Sequence, residues 1–267
     1  MKTYARPSCS GGAEDRPAPA ILVVEDSPII QATARALLLN LGFSADLADD
    51  GLAAVARATT RRYDVIFMDM HMPVLDGPAA SREICARCGE QRPWIVAMTA
   101  SMMPHDRREC LDAGMDEFLL KPLTAGKFAA VLARFGPPTV APGAADETTA
   151  ATPAAELAAV HVLLAAMAAG DPARFVESRE MLLVSLERGY TGLAQAFAAG
   201  DRRQAHRWAH SLAGTTMTTG LRRVGLLAAT IERDCAAPRP LAPAVATFAA
   251  LVPLWADTLA AVRGLAA

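Results

Sequence analysis

The chain has 267 residues, with 26 Lys and Arg against 28 Asp and Glu, a formal net charge of −2, and is 52% hydrophobic and 20% charged. At ~150 residues per domain this length suits two domains with apolar material for two cores, and it excludes a chain disordered throughout. The near-neutral balance and the 5% aromatic content argue against a nucleic-acid binder or a base-stacking platform.

Residues 1–20 are rich in Gly, Pro, Ser and charge and hold no apolar signal segment, so they read as a disordered leader. The stretch Leu157–Ala169 is interrupted by His161 and is shorter than the roughly 20 residues of a membrane helix. Five cysteines (Cys9, Cys85, Cys88, Cys110, Cys235) without a secretory signal point to free thiols in a reducing compartment, the cytoplasm.

Residues 21–135 alternate apolar runs with helical patterns. The predicted strands are 21–25, 43–47, 63–69, 94–98 and 117–120, with amphipathic stretches between them. Five such repeats predict a doubly wound five-stranded parallel sheet. ILVV and VIFM are continuously apolar, as in central strands covered on both faces. Residues 136–153 are Pro-, Ala- and Thr-rich without period and read as a linker reaching about 20–25 Å. Residues 154–267 are Ala- and Leu-rich, punctuated by Asp171-Pro172, Gly200-Asp201, Gly220, Pro238 and Pro240. They predict four or five helices in a bundle.

Ligands of an open parallel sheet bind beyond the carboxyl ends of its strands. Those ends carry Glu25 and Asp26, Asp69, Thr99-Ala100, and Lys121-Pro122. Clustered carboxylates repel unless a cation sits among them, and hard oxygen donors suit Mg²⁺. A phosphoryl group on Asp69, with the metal, Lys121 and the Thr99 hydroxyl around its oxygens, fits phosphoryl transfer by positioning and charge.

The strings VVEDSP, FMDMHMPVLDG, VAMTA and FLLKPL, with steps of 43, 30 and 22 residues from Asp26 to Asp69, Thr99 and Lys121, resemble the receiver domain of two-component response regulators. The resemblance covers about residues 20–135. It implies a flavodoxin-like receiver with strand order 2-1-3-4-5. It implies Asp69 as phosphoacceptor, with Glu25, Asp26, Asp69 and the His71 backbone carbonyl around Mg²⁺, and Thr99 and Phe118 as the switch pair. Asp26-Ser27-Pro28 in isolation reads as a helix start capped by Ser27, and Asp76-Gly77 as a turn. Haloacid-dehalogenase-like phosphatases need a second Asp two residues after the nucleophile, where this chain has His71.

In the second half, a helix is expected from Asp201 with His210 flanked by His206, Arg207, Ala213 and Gly214. A glycine inside a helix costs roughly 1 kcal/mol relative to alanine, so Gly214 asks for a reason. Small residues at 213 and 214 leave an imidazole open to a docking partner, and Arg203 and Arg207 lie toward that face. AHSLAGTTMTTG (209–220) resembles the signature of histidine phosphotransfer (HPt) domains, with cover over roughly 157–264. The resemblance implies His210 as phosphoacceptor. Ala213 stands where that family has lysine, and Arg207 is the expected substitute cation. A metal pair of His206 and His210 lacks a third ligand, and Cys85-x-x-Cys88 lacks a second pair.

These readings predict a phosphorelay protein without an ATP-binding kinase domain. A sensor histidine kinase loads Asp69, the phosphoryl group is exchanged with His210, and a downstream response regulator receives it. Nucleic acid and membrane are not expected partners: residues 145–267 balance 11 Arg against 11 Asp and Glu. Two alternatives stand beside this: a receiver switch carrying a helical binding module with His210 silent, or a detached C-terminal part of a hybrid sensor kinase. Met1 and the leader point to a free-standing chain.

Overall fold

The computed structural model describes residues 18–99, 104–135, 152–236 and 240–267, and for 104–106 the backbone alone. Almost all of the expected leader, the linker up to residue 151, Ala100, Cys9 and Pro238 lie outside the described residues.

The first half is a five-stranded parallel sheet in the order β2-β1-β3-β4-β5, made of β1 (Ile21–Val24), β2 (Ala45–Ala48), β3 (Val65–Asp69), β4 (Trp94–Thr99) and β5 (Glu117–Leu120). Every residue of β1 and β3 is buried, which is why their sequences show no polar alternation. The connecting helices are α1 (Pro28–Asn40), α2 (Gly51–Thr60), α3 (Gly77–Cys88), α4 (Pro104–Asp112) and α5 (Ala125–Leu132).

Two strand starts differ from the sequence expectation, and the ends of β1, β2 and β4 each shift by one residue. β2 starts at Ala45 rather than residue 43, because Phe43 closes the turn after α1 by donating its N–H to the Leu38 carbonyl. β3 starts at Val65 because Tyr63 and Asp64 make loop contacts: the Tyr63 hydroxyl donates to Asp46 Oδ2 at 2.6 Å, and Asp64 Oδ2 accepts from the Ala20 N–H at 2.8 Å. Ser27 occupies the N-cap of α1, but its side chain makes no capping bond; only its N–H reaches back, to Glu25 Oε1 at 3.4 Å.

The second half is helical: α6 (Pro153–Ala168), α7 (Pro172–Ala198), α8 (Arg202–Thr219), α9 (Arg222–Ala236) and α10 (Ala242–Arg263). The punctuation acts as expected at Asp171, Asp201 and Gly220, whereas Thr152 and Pro153, expected as linker, already form the start of α6. Thr152, Asp171 and Asp201 cap α6, α7 and α8 by accepting first-turn N–H groups, and Gly220 ends α8 in the left-handed region. Glu156, buried on α6, ties down the start of α9 by accepting from the Arg223 N–H at 2.6 Å and from its Nε at 3.0 Å. Among the described residues, one helix is long and apolar enough to cross a membrane, and it is α10 rather than 157–169. Leu251, Trp255, Thr258 and Val262 of α10 are buried in the bundle, and Trp255 stacks on Tyr190 of α7 with centroids 4.6 Å apart.

The two halves are docked. The apolar cluster on the α1 and α5 side of the sheet continues unbroken into the bundle, from Ile30 and Leu38 to Val160, Leu164 and Leu212. The α1 helix packs against α6, α7 and α8, and the Thr33 hydroxyl lies 4.0 Å from the Met167 sulfur. Burying apolar surface at about 25 cal/mol per Å² makes such a seam favourable without any specific polar contact.

Candidate phosphotransfer site

The parallel register brings the strand ends level. Asp69 pairs with Met98, Thr99 pairs with Leu120, and the Lys121 N–H continues the ladder by donating to the Thr99 carbonyl at 2.7 Å. Beyond β1, Gln31 of α1 steadies the loop by donating to the Glu25 carbonyl at 2.7 Å, the Ala48 carbonyl at 3.0 Å and Asp49 Oδ1 at 2.8 Å. Gly77 is part of this construction rather than a plain turn residue. A Cβ there would sit 2.1 Å from the Asp69 carbonyl oxygen, so only glycine lets α3 start directly over Asp69. Asp76 caps α3 by accepting from the Ala79 N–H at 2.8 Å.

Lys121 donates to Glu25 Oε2 at 2.8 Å and lies 3.1 Å from Asp69 Oδ1. The second contact is an ion pair without hydrogen-bond alignment, so Asp69 Oδ1 is buried and lacks a directed partner. Carboxylate oxygens of Glu25, Asp26 and Asp69 lie within 4.8 Å of one another. One ammonium does not offset three carboxylates. Burial first, then the Asp69 charge, pushes Glu25 up to about 8 and Asp26 up to about 6. Burial alone would lower the Lys121 pKa, but the Asp69 and Glu25 carboxylates override it and hold the ammonium protonated. An excess of hard anionic oxygens around an under-satisfied Asp69 oxygen is the donor set of a divalent cation such as Mg²⁺.

Thr99 is buried at the end of β4. Phe118 is half-buried on β5, with the Arg107 guanidinium 5.3 Å from its ring centroid.

The helical half closes over this site. Its His210 is 3% exposed, against 1% for Asp69 and 5% for Lys121. Gly214, one turn along α8, faces the sheet: a Cβ there would lie 3.6 Å from Ile30 Cδ1, 3.6 Å from Lys121 Cδ and 3.7 Å from Lys121 Nζ. A Cβ at 214 would thus make ordinary contact, and the small residue there leaves α8 lying directly against Lys121. Ala213, without a cation, is buried beside it.

His210 Nδ1 lies 2.7 Å from Glu232 Oε1 on α9. An ionised carboxylate only accepts, so this contact assigns a proton to Nδ1, and in the neutral ring the lone pair is on Nε2. Nε2 is buried and has no hydrogen-bond partner. Burial alone would lower the His210 pKa, but the bond and charge of Glu232 raise it above the usual imidazole value. Burial would likewise raise Glu232, and its bond with His210 turns that into a lowered pKa. The His71 ring lies between the halves, with centroids 4.3 Å from His210 and 6.0 Å from His206. Desolvation, then the His210 charge, lowers His71 to about 4, while one side stays open to the adjoining cavity. That cavity, of about 360 Å³, is lined from the sheet by Asp26, His71 and Asp76 and from the bundle by Arg188, Arg207 and Ser211.

Glu232, Arg188 and the His71 side chain escaped the sequence reading. Glu232 lies 22 residues from His210 and Arg188 on another helix, so no local spacing marks either one. Arg203 is exposed and does not line the cavity.

The family model of the response regulator receiver domain matches residues 21–133, and that of the Hpt domain matches residues 177–264. The aerobic respiration control sensor protein ArcB of Escherichia coli (strain K12) is 38% identical over 125 residues, covering 46% of this chain and 16% of that protein. The sensor histidine kinase GacS of Pseudomonas protegens is 29% identical over 216 residues, covering 76% of this chain and 23% of that protein. The chain thus spans less than a quarter of either relative. Among solved structures, the receiver domain of a sensor histidine kinase from Pseudomonas aeruginosa PAO1, with a magnesium ion coordinated in its active-site cleft, is 42% identical. It has a TM-score of 0.42 and covers 44% of this chain and 97% of that one. With both site geometries and both family matches in register, the chain carries a response regulator receiver domain followed by an Hpt domain.

Proposed function

We propose that this chain is a phosphorelay module in which Asp69 and His210 exchange a phosphoryl group across the docked interface. The observation that carries this reading is His210 itself: its Nε2 is buried and unpartnered against the receiver, while Glu232 occupies its Nδ1. In transfer, the Nε2 lone pair attacks the phosphorus of the Asp69 acyl phosphate. The bond from phosphorus to the Asp69 oxygen breaks, and the carboxylate leaves with its electron pair. Glu232 keeps the Nδ1 proton and balances the positive charge that develops on the ring. Lys121 neutralises phosphoryl oxygens on the receiver side, and Thr99 donates its hydroxyl there.

Glu25, Asp26 and Asp69, with the His71 backbone carbonyl, are the residues that would hold Mg²⁺. Bound there, the ion supplies positive charge to the phosphoryl oxygens. Thr99 and Phe118 are read as the pair that reports the loaded state. A sensor histidine kinase upstream and a separate response regulator downstream are the partners this chemistry asks for, whether the module acts alone or within a longer sensor kinase. Cys85, Cys88 and Cys235 are free thiols, which suits a cytoplasmic setting. The charge balance supports protein partners rather than nucleic acid, and the buried face of α10 supports a core helix rather than a membrane span.

The test loads purified protein with a small acyl phosphate and Mg²⁺ and follows the linkage formed. Aspartyl phosphate is lost in base, whereas phosphohistidine survives base and is lost in acid. Wild type is expected to accumulate base-stable phosphate. His210→Gln retains only the base-labile form, and Asp69→Ala and chelated samples retain neither. Base-stable phosphate in Asp69→Ala at the wild-type rate would contradict the relay.

A further inference from the structure

We propose that Arg188, on α7 and outside the helix that carries His210, is a positioning residue that holds the phosphoryl group as it crosses between the two domains. The inference rests on the relay reading above and adds a residue that neither motif contains. Its basis is a packing chain that begins with two glycines. A Cβ on Gly192 would sit 2.3–2.7 Å from the Trp208 indole, and one on Gly189 would sit 3.3 Å from Leu212 Cδ1. Glycine at both positions lets α7 and α8 approach closely and seats the Trp208 ring between them. The Arg188 guanidinium lies over that ring, 5.7 Å from its centroid, a cation–π contact that orients the fork without consuming its N–H donors.

Oriented this way, Arg188 lines the interdomain cavity opposite Asp26 and His71. Among the described residues it has no ion pair with a carboxylate. A guanidinium left unpaired beside a carboxylate cluster matches a transferring phosphoryl group, whose oxygens take its parallel donors. The bundle needs such a cation, because Ala213 supplies none. Arg207 lines the same cavity, but its Nη2 donates to Gln204 Oε1 at 2.5 Å, so it is partly engaged within its own helix.

The experiment compares wild type, Arg188→Gln and Arg188→Lys, each loaded with a small acyl phosphate and Mg²⁺. It reads the rate of Asp69 loading and the rate of base-stable phosphate formation separately. Arg188→Gln is expected to slow transfer about tenfold or more with loading unchanged, as removal of a charge-stabilising donor does. Arg188→Lys, which keeps the charge, is expected to recover most of the rate. Transfer in Arg188→Gln at the wild-type rate overturns the proposal. Equal loss in Gln and Lys variants also overturns it, because that pattern reports the packing on Trp208 rather than the charge. A matching loss of loading overturns it too, since Arg188 then acts on the receiver alone. Wild type that loads Asp69 but forms no base-stable phosphate sinks the relay reading, and the role of Arg188 with it.

Discussion

Replacing Gly214 by leucine stops transfer from Asp69 to His210 while Asp69 still loads. A Cβ at 214 meets Ile30 and Lys121 at 3.6 Å, which is ordinary contact, so Gly214→Ala keeps the domains docked and transferring. The further carbons of leucine have no space between α8 and the receiver and push the interface open. Misplacement by about 1 Å costs roughly a hundredfold in rate, and the leucine variant is expected to lose at least that much. The helix itself is not at risk, because glycine is the weaker helix former by about 1 kcal/mol. A time course of base-stable phosphate on the Gly, Ala and Leu series checks this. Leucine transferring at the wild-type rate would mean that the docked arrangement is not the one that reacts.

Removing the Glu232 carboxylate changes both the height and the pH dependence of transfer. The attacking form of His210 has a free Nε2 pair, so the rate rises as pH climbs through the imidazole pKa. Glu232 raises that pKa above the usual value against the opposing effect of burial. In Glu232→Gln the anion is gone and burial remains, so the rising limb moves to lower pH. In Glu232→Ala the Nδ1 acceptor is lost as well, the tautomer is no longer fixed, and the plateau falls by roughly 10–100-fold. Transfer measured from about pH 5 to pH 9 on the three proteins separates these effects. A rising limb that stays in place in Glu232→Gln would show that Glu232 does not set the protonation of His210.

Much of the receiver was readable because its signals are local. Continuous apolar strands, each ending in a chemical side chain, place Asp69, Thr99 and Lys121 at one sheet edge before any coordinates are known. The helix limits in the second half follow from Asp171, Asp201 and Gly220, whose capping roles are fixed by their own backbones. Three kinds of information were not readable. The first is side-chain choice at a cap: Ser27 stands at the N-cap but leaves the bond unmade. The second is the extent of an apolar helix: α10 is long and apolar enough to cross a membrane, and its buried contacts through Leu251, Trp255, Thr258 and Val262 show no local sequence mark. The third is contact between distant segments. Glu232, Arg188 and the ring of His71 come to the site only when α9, α7 and the loop after β3 meet around His210. The linker's reach permitted the two halves to touch, but the seam through Ile30, Thr33, Met167 and Gly214 is a property of the fold.

The most direct test of the account is whether Asp69 and His210 react within one chain. Linkage within one chain gives partners an effective concentration of about millimolar, well above working protein concentrations. The rate constant for base-stable phosphate formation in wild type should therefore be independent of protein concentration. A mixture of Asp69→Ala and His210→Gln, which must transfer between molecules, should be far slower. A wild-type rate that grows in proportion to protein concentration, with the mixture equally fast, would contradict the account.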